Sequence, residues 1–122
     1  MKTSLIISTY NWPEALELVL KSVLFQLMSA NEIIIADDGS TKKTRELIDK
    51  YIRLFDVPLI HVWHEDKGFR KAMILNKAYK AASGDHIIQI DGDIILHPSF
   101  IKDHVNNAEK GTFIHGSRVL LD

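Results

Sequence analysis

Apolar residues recur along this chain in two alternating rhythms, short solid runs and runs spaced three or four apart. Leu5 to Ser8 predicts a first strand, and Thr9-Tyr10-Asn11-Trp12-Pro13 the turn leaving it. Pro13 suits the first turn of a helix, where its missing N–H costs nothing. Ala15, Leu16, Val19, Leu20, Val23, Leu24 and Leu27 then make one apolar stripe at helical spacing. Glu32 to Ala36 predicts a second strand, closing in Asp37-Asp38-Gly39-Ser40. Thr41 to Leu54 predicts a second helix, with Ser40 or Thr41 as N-cap and Leu47, Ile48, Tyr51 and Ile52 facing inward. Pro58 to Trp63 predicts a third strand near a sheet edge, given its proline. Gly68 or Phe69 to Ala82 predicts a third helix, closed by Ser83-Gly84. His86 to Ile90 reads as a strand covered on both faces. Pro98 to Asn107 predicts a short fourth helix, and Thr112 to His115 the start of a last strand.

Strands and helices that alternate in this way predict a three-layer α/β/α sandwich around a mostly parallel sheet. Thr9 to Asn11, Asp37 to Ser40, Glu65 to Arg70 and Asp91 to Asp93 all follow strands, which puts them on one rim. In open α/β sheets that carboxyl edge is where ligands bind, so the coincidence predicts a single site.

Asp91-Gly92-Asp93 emerges from the His86 strand. With Gly92 allowing a tight backbone path, both carboxylates can reach one hard divalent cation and its phosphate ligand. Oxygen donors favour Mg²⁺ or Mn²⁺ over zinc. The same letters also make ordinary turns. At the second strand Asp38 could accept a hydrogen bond from a base N–H or a ribose hydroxyl, or Asp37, Asp38 and Ser40 could simply cap a helix. Arg70 or Lys67 could neutralise a pyrophosphate, although a charged turn is commonly just solvated. Tyr10 and Trp12 could flank a flat base; Tyr10 is the better candidate for a ligand and Trp12 for packing. Asn76 reads as a core amide. The histidines show no metal spacing and read mostly as structural, with His115 expected to end near the site.

Composition narrows the partners. The 122 residues make one domain, 46% hydrophobic and 25% charged, with 15 basic against 16 acidic residues. That balance offers no basic surface for nucleic acid. The absence of cysteine excludes disulfides and thiolate metal sites. The apolar run after Lys2 is too short for a signal peptide, and nothing approaches the roughly 20 apolar residues of a membrane span. A cytoplasmic protein is the default expectation.

Ile6-Ile7-Ser8-Thr9-Tyr10-Asn11, Ile35-Ala36-Asp37-Asp38-Gly39-Ser40 and Ile90-Asp91-Gly92-Asp93, in that order and spacing, resemble a family-2 glycosyltransferase of the GT-A fold. Gly68-Phe69-Arg70-Lys71-Ala72, His97-Pro98-Ser99-Phe100-Ile101 and Gly116-Ser117-Arg118 further resemble bacterial members that build surface polysaccharides. The resemblance implies a UDP-sugar donor, a saccharide acceptor and metal-assisted inverting transfer with Mn²⁺ or Mg²⁺. It implies that Thr9, Tyr10 and Asn11 line the nucleotide, with Asp37 beside Asp38 and Asp38 on uracil. Asp91 and Gly92 would meet the ribose or the metal, and Asp93 would coordinate the cation. Many members carry Ala-Arg-Asn in the third helix where this chain has Ile74-Leu75-Asn76, so Arg70 is expected to take over the diphosphate contact. The family's catalytic base is expected beyond Asp122. The chain therefore reads as the donor-binding part of a longer domain, inactive or nearly so alone, with any membrane association peripheral and through other segments. The alternatives are a non-catalytic nucleotide-sugar binding module and an Asp-based phosphatase of haloacid-dehalogenase type.

Overall fold

The computed structural model describes residues 2–107 and the strand 113–115. Nine elements follow in chain order: β1 (Thr3–Thr9), α1 (Pro13–Leu24), β2 (Glu32–Asp37), α2 (Lys42–Ile52), β3 (Leu59–Trp63), α3 (Lys71–Ala81), β4 (His86–Asp91), α4 (Phe100–Asn106) and β5 (Phe113–His115). The sheet order is β3-β2-β1-β4-β5, and every described pairing is parallel. β3 stands at an edge of this sheet, as its proline predicts.

Side chains alternate across a strand, and that alternation sorts the core into two layers. Leu5, Ile7, Ile33, Ile35, Ile88 and Ile90 face α1, α2 and α4, packing on Leu16, Val19, Leu20, Ile48, Tyr51 and Phe100. Ile6, Ile34 and Ala36 face the other way, onto Ile74 and Ala78 of α3. β1 and β2 are buried throughout on both faces. β4 is not. It alternates buried and half-buried residues, because α3 lies against β1, β2 and β3 and leaves the Ile87 and Gln89 side thinly covered.

Several boundaries differ from expectation. Leu27 lies past the end of α1 and, like Ile52 in α2, is exposed. α3 starts at Lys71, since Phe69 points into solvent at 88% exposure instead of opening an apolar face. Its buried face is Ile74 and Ala78, and Asn76 is exposed. Thr41 holds the N-cap position of α2 without a side-chain cap bond. Ser40 Oγ accepts from the Asn11 amide instead. Residues 116–118 lie outside the described residues, as does the side chain of His115.

At the amino edge of the sheet, buried Glu32 accepts hydrogen bonds from Ser4 Oγ (2.6 Å), the Ser83 amide (2.7 Å) and Ser83 Oγ (2.9 Å). These tie the exit of α3 to β1 and β2. Burial alone pushes the carboxyl up, but the hydrogen bonds from Ser4 and Ser83 outweigh it and hold it below its ordinary value. A depressed folded-state pKa adds stability that is present above the unfolded value and lost as pH falls through the folded one. Glu32→Gln is therefore expected to cost about 1.5–3 kcal/mol near neutral pH. Below roughly pH 4 the gap to wild type should close. Thermal melts from pH 7 to pH 3 would check this, and a cost that does not change with pH would remove the charge from the account.

Candidate functional site at the β1–β4 switch point

Chain connections leave β1 towards β2 on one side of the sheet, while the crossover through α3 returns to β4 on the other. Such a divergence opens a crevice at the carboxyl ends of the two central strands. Register fixes what flanks it: Thr9 is level with Asp37 of β2, and Ser8 with Asp91 of β4.

A cavity of about 250 Å³ occupies this point. Ser8, Thr9, Tyr10 and Trp12 line it from β1 and its turn, Asp38 from the end of β2, and Phe69 and Lys71 from the approach to α3. Asp91, Gly92 and Asp93 complete it from β4. A larger hollow of about 490 Å³, by Ser40, Thr41, Lys42, Arg45, His61 and Trp63, has no carboxylate on its lining and so offers no hard-cation site.

Period-two alternation decides which acids arrive in the cavity. Ile34 and Ala36 face α3, and one step on so does Asp38; Ile33 and Ile35 face α2, and so does Asp37. Asp37 is accordingly fully buried on the wrong side. Its Oδ1 accepts from the Ser40 amide (2.9 Å) and its Oδ2 meets His61 Nε2 at 2.8 Å. Asp38 reaches the cavity wall with Oδ1 2.5 Å from His64 Nε2 and Oδ2 accepting from the Arg70 amide at 2.8 Å. Each aspartate has its own histidine, one pair on each face of the sheet.

On β4 the same alternation turns Asp91 towards α3, where its Oδ1 accepts from Lys71 Nζ at 2.6 Å and from Ser8 Oγ at 3.0 Å. Asp93, two residues on, is exposed in the turn. Gly92 cannot carry a side chain, because a Cβ there would fall 2.4 Å from the Ser8 carbonyl oxygen. Its absence lets the β4 turn close against β1. Among the described residues no group of three or more ligating side chains converges. Two carboxylates are nevertheless what Mg²⁺ or Mn²⁺ uses when phosphate oxygens and water complete the shell. The donor set fits, and Asp91 already holds a positive charge in the Lys71 ammonium.

Of the residues predicted from sequence, Thr9, Tyr10, Asp38, Asp91, Gly92 and Asp93 meet in the cavity. Three do not. Asp37 is buried behind the sheet. Asn11, at φ +44, accepts from the Thr41 amide through Oδ1 and braces the two rim turns together. Arg70 folds back so that its guanidinium donates to the Glu65 carbonyl at 2.5 Å; only its backbone amide serves the rim. Lys71, Phe69 and Ser8 line the cavity without having been anticipated, and Trp12 is no packing residue, being 55% exposed at the mouth. Tyr10 donates to Asp66 at 2.7 Å, which raises the phenol above its usual range and lowers the Asp66 carboxyl.

Known proteins share this fold and part of this sequence. The poly-beta-1,6-N-acetyl-D-glucosamine synthase of Staphylococcus aureus (strain COL) is 36% identical over 91 residues, covering 75% of this chain and 21% of that protein. The crystal structure of S. aureus TarS 1–349 in complex with UDP superposes with a TM-score of 0.74 at 26% identity, covering 87% of this chain and 31% of that one. The Pyrobaculum calidifontis mannosyltransferase PcManGT, solved with GDP-Man and Mn²⁺, shares the fold at a TM-score of 0.75 and 24% identity, covering 85% and 31%. The chain spans between 21% and 38% of the length of the curated relatives it matches. The family model described as glycosyl transferase family 2 matches residues 4–120. The α/β fold, the crevice at its switch point and this match together place the chain in glycosyl transferase family 2.

Proposed function

We propose that the β1–β4 cavity binds the nucleoside diphosphate of a sugar donor, with UDP as the nucleotide, and that the protein transfers the sugar to a saccharide acceptor with inversion. One observation carries the reading: Asp38, Lys71, Asp91 and Asp93 line one cavity at the crevice of a parallel sheet. The UDP complex of TarS and the polysaccharide synthase among the relatives support the choice of nucleotide and product class. No helix among the described residues is long and apolar enough to cross a membrane.

Each residue has a task set by its place. Tyr10 and Trp12 offer exposed ring faces on which a base can stack. Asp38 offers an acceptor to the base, held in orientation by His64 and the Arg70 amide. Asp91 and Asp93 would hold Mn²⁺ or Mg²⁺, which when bound supplies positive charge against the departing diphosphate. Lys71 adds a positive charge of the chain's own beside the same phosphates. An inverting transfer also needs a carboxylate to take the acceptor's proton. The cavity's acids are all spoken for by the donor, so we place that base outside the described residues and assign this chain the donor half of the domain. A phosphatase of haloacid-dehalogenase type has no support from the family match.

Calorimetric titration with UDP is expected to show binding that requires Mn²⁺ or Mg²⁺. Asp93→Ala should weaken it by at least about tenfold, equivalent to roughly 1.4 kcal/mol. Binding of equal strength in the presence of chelator would strip Asp93 of this role.

A further inference from the structure

We propose that Lys71 is a tethered cation that competes with a divalent metal for Asp91 and yields the site more readily to a metal arriving with a diphosphate, so that this side chain couples metal binding to nucleotide binding. The inference rests on the reading of the cavity as a metal–nucleotide site and adds to it the side chain that couples the two ligands.

The Lys71 ammonium lies 2.6 Å from Asp91 Oδ1, and the Ser8 hydroxyl donates to the same oxygen at 3.0 Å. Both charged side chains are partly shielded, at 37% and 27% exposure. A dication approaching Asp91 therefore meets a positive charge already in contact with the oxygen it needs. Repulsion between the two grows as the product of their charges and is little screened at such separations. With no phosphate present, displacing Lys71 would leave its ammonium beside a dication, with only the cavity's own carboxylates to share between them. A diphosphate changes this. It brings several anionic oxygens to the same wall, which can receive both the metal and the displaced ammonium.

Geometry favours the exchange. Lys71 is the first residue of α3, on a flexible four-carbon stem whose three donors can re-aim without moving the backbone. The neighbouring cation stands off the cavity, because the Arg70 guanidinium turns back to donate to the Glu65 carbonyl and is not on the lining. Lys71 is the cationic side chain on the described lining of the cavity. Coupling between two ligands is reciprocal: whatever factor UDP adds to metal affinity, the metal adds to UDP affinity. A large part of that factor should run through this one side chain.

The test is a set of titrations on wild type, Lys71→Met and Lys71→Arg: Mn²⁺ alone, UDP alone and Mn²⁺ at saturating UDP. Free Mn²⁺ is read by electron paramagnetic resonance and the fold by circular dichroism. In wild type, UDP should tighten Mn²⁺ by a factor of about ten or more. Lys71→Met should bind Mn²⁺ alone about fivefold or more tightly than wild type, and the coupling factor should fall accordingly. Lys71→Arg, which keeps the charge, should retain most of the coupling. Mn²⁺ affinity that is unchanged in Lys71→Met, while UDP and Mn²⁺ still bind together, would overturn the competing role and leave the proposed function standing. Failure of wild type to bind UDP with Mn²⁺ would overturn both.

Discussion

Replacing Gly39 by alanine is expected to lower the thermal midpoint by roughly 10 °C and to dislodge the rim around Asp38. Gly39 has φ +93, and a Cβ built there would stand 2.5 Å from Asp66 Cα and 2.6 Å from the Asp66 amide nitrogen. Two costs add. The left-handed conformation costs a side-chain residue about 1–2 kcal/mol, and an overlap with unyielding backbone costs about 1–3 kcal/mol more. Gly68 supplies the control, because it has φ +86 but nothing within 4 Å of a built Cβ. Gly68→Ala should therefore cost only the conformational part, about 1 kcal/mol. The difference between the two melts measures how tightly the turn after β2 presses on the loop that carries Asp66, the partner of Tyr10. Equal shifts for both variants would show that the loops can part freely and that the rim is not built by this contact.

That contact also marks where reading the sequence succeeds and stops. The strands of the centre were legible because Leu5 to Ile7 and Ile33 to Ala36 are apolar on both faces, which only a covered parallel sheet demands. The rim was legible because each polar cluster follows a strand. Which of two neighbouring acids enters the cavity was also within reach: counting by twos from Ile34 sends Asp38, and not Asp37, towards α3. Lys71 was missed for a definite reason. Phe69 looks like the first apolar residue of a helix, yet it is exposed and α3 opens two residues later, with Lys71 in its first turn. Arg70 lies off the cavity lining because its guanidinium's partner is a backbone carbonyl, which no side-chain pattern reveals. Trp12 follows the same logic in reverse. Position at a helix start suggests packing, but α1 buries Leu16, Val19, Leu20 and Val23 and leaves the indole at the cavity mouth.

Asp38→Ala should be among the most damaging losses of a rim carboxylate, at about 2–5 kcal/mol of stability. Asp38 is 5% exposed and His64 6%, and the pair is buried. Lys77 Nζ approaches His64 Nδ1 at 3.3 Å. An ammonium can only donate, so Nδ1 is the accepting nitrogen and Nε2 carries the hydrogen donated to Asp38. Alanine would leave that Nε2–H and the Arg70 amide without acceptors. Because the Arg70 amide precedes Lys71 at the start of α3, the loss should spread along the cavity wall to Lys71. Equilibrium unfolding in urea measures the stability part. For binding, Asp38→Asn is the cleaner change, since it keeps an oxygen for the Arg70 amide. A carboxylate has about four lone-pair sites, and Asp38 uses two within the protein, which leaves capacity for a pyrimidine N–H. With UDP as the proposed nucleotide, we expect wild type to prefer UDP to GDP, and Asp38→Asn to weaken UDP by about tenfold with little change for GDP. Equal affinities for the two nucleotides in wild type would reduce Asp38 to a brace for the loop and move base selection to the aromatic residues at the mouth.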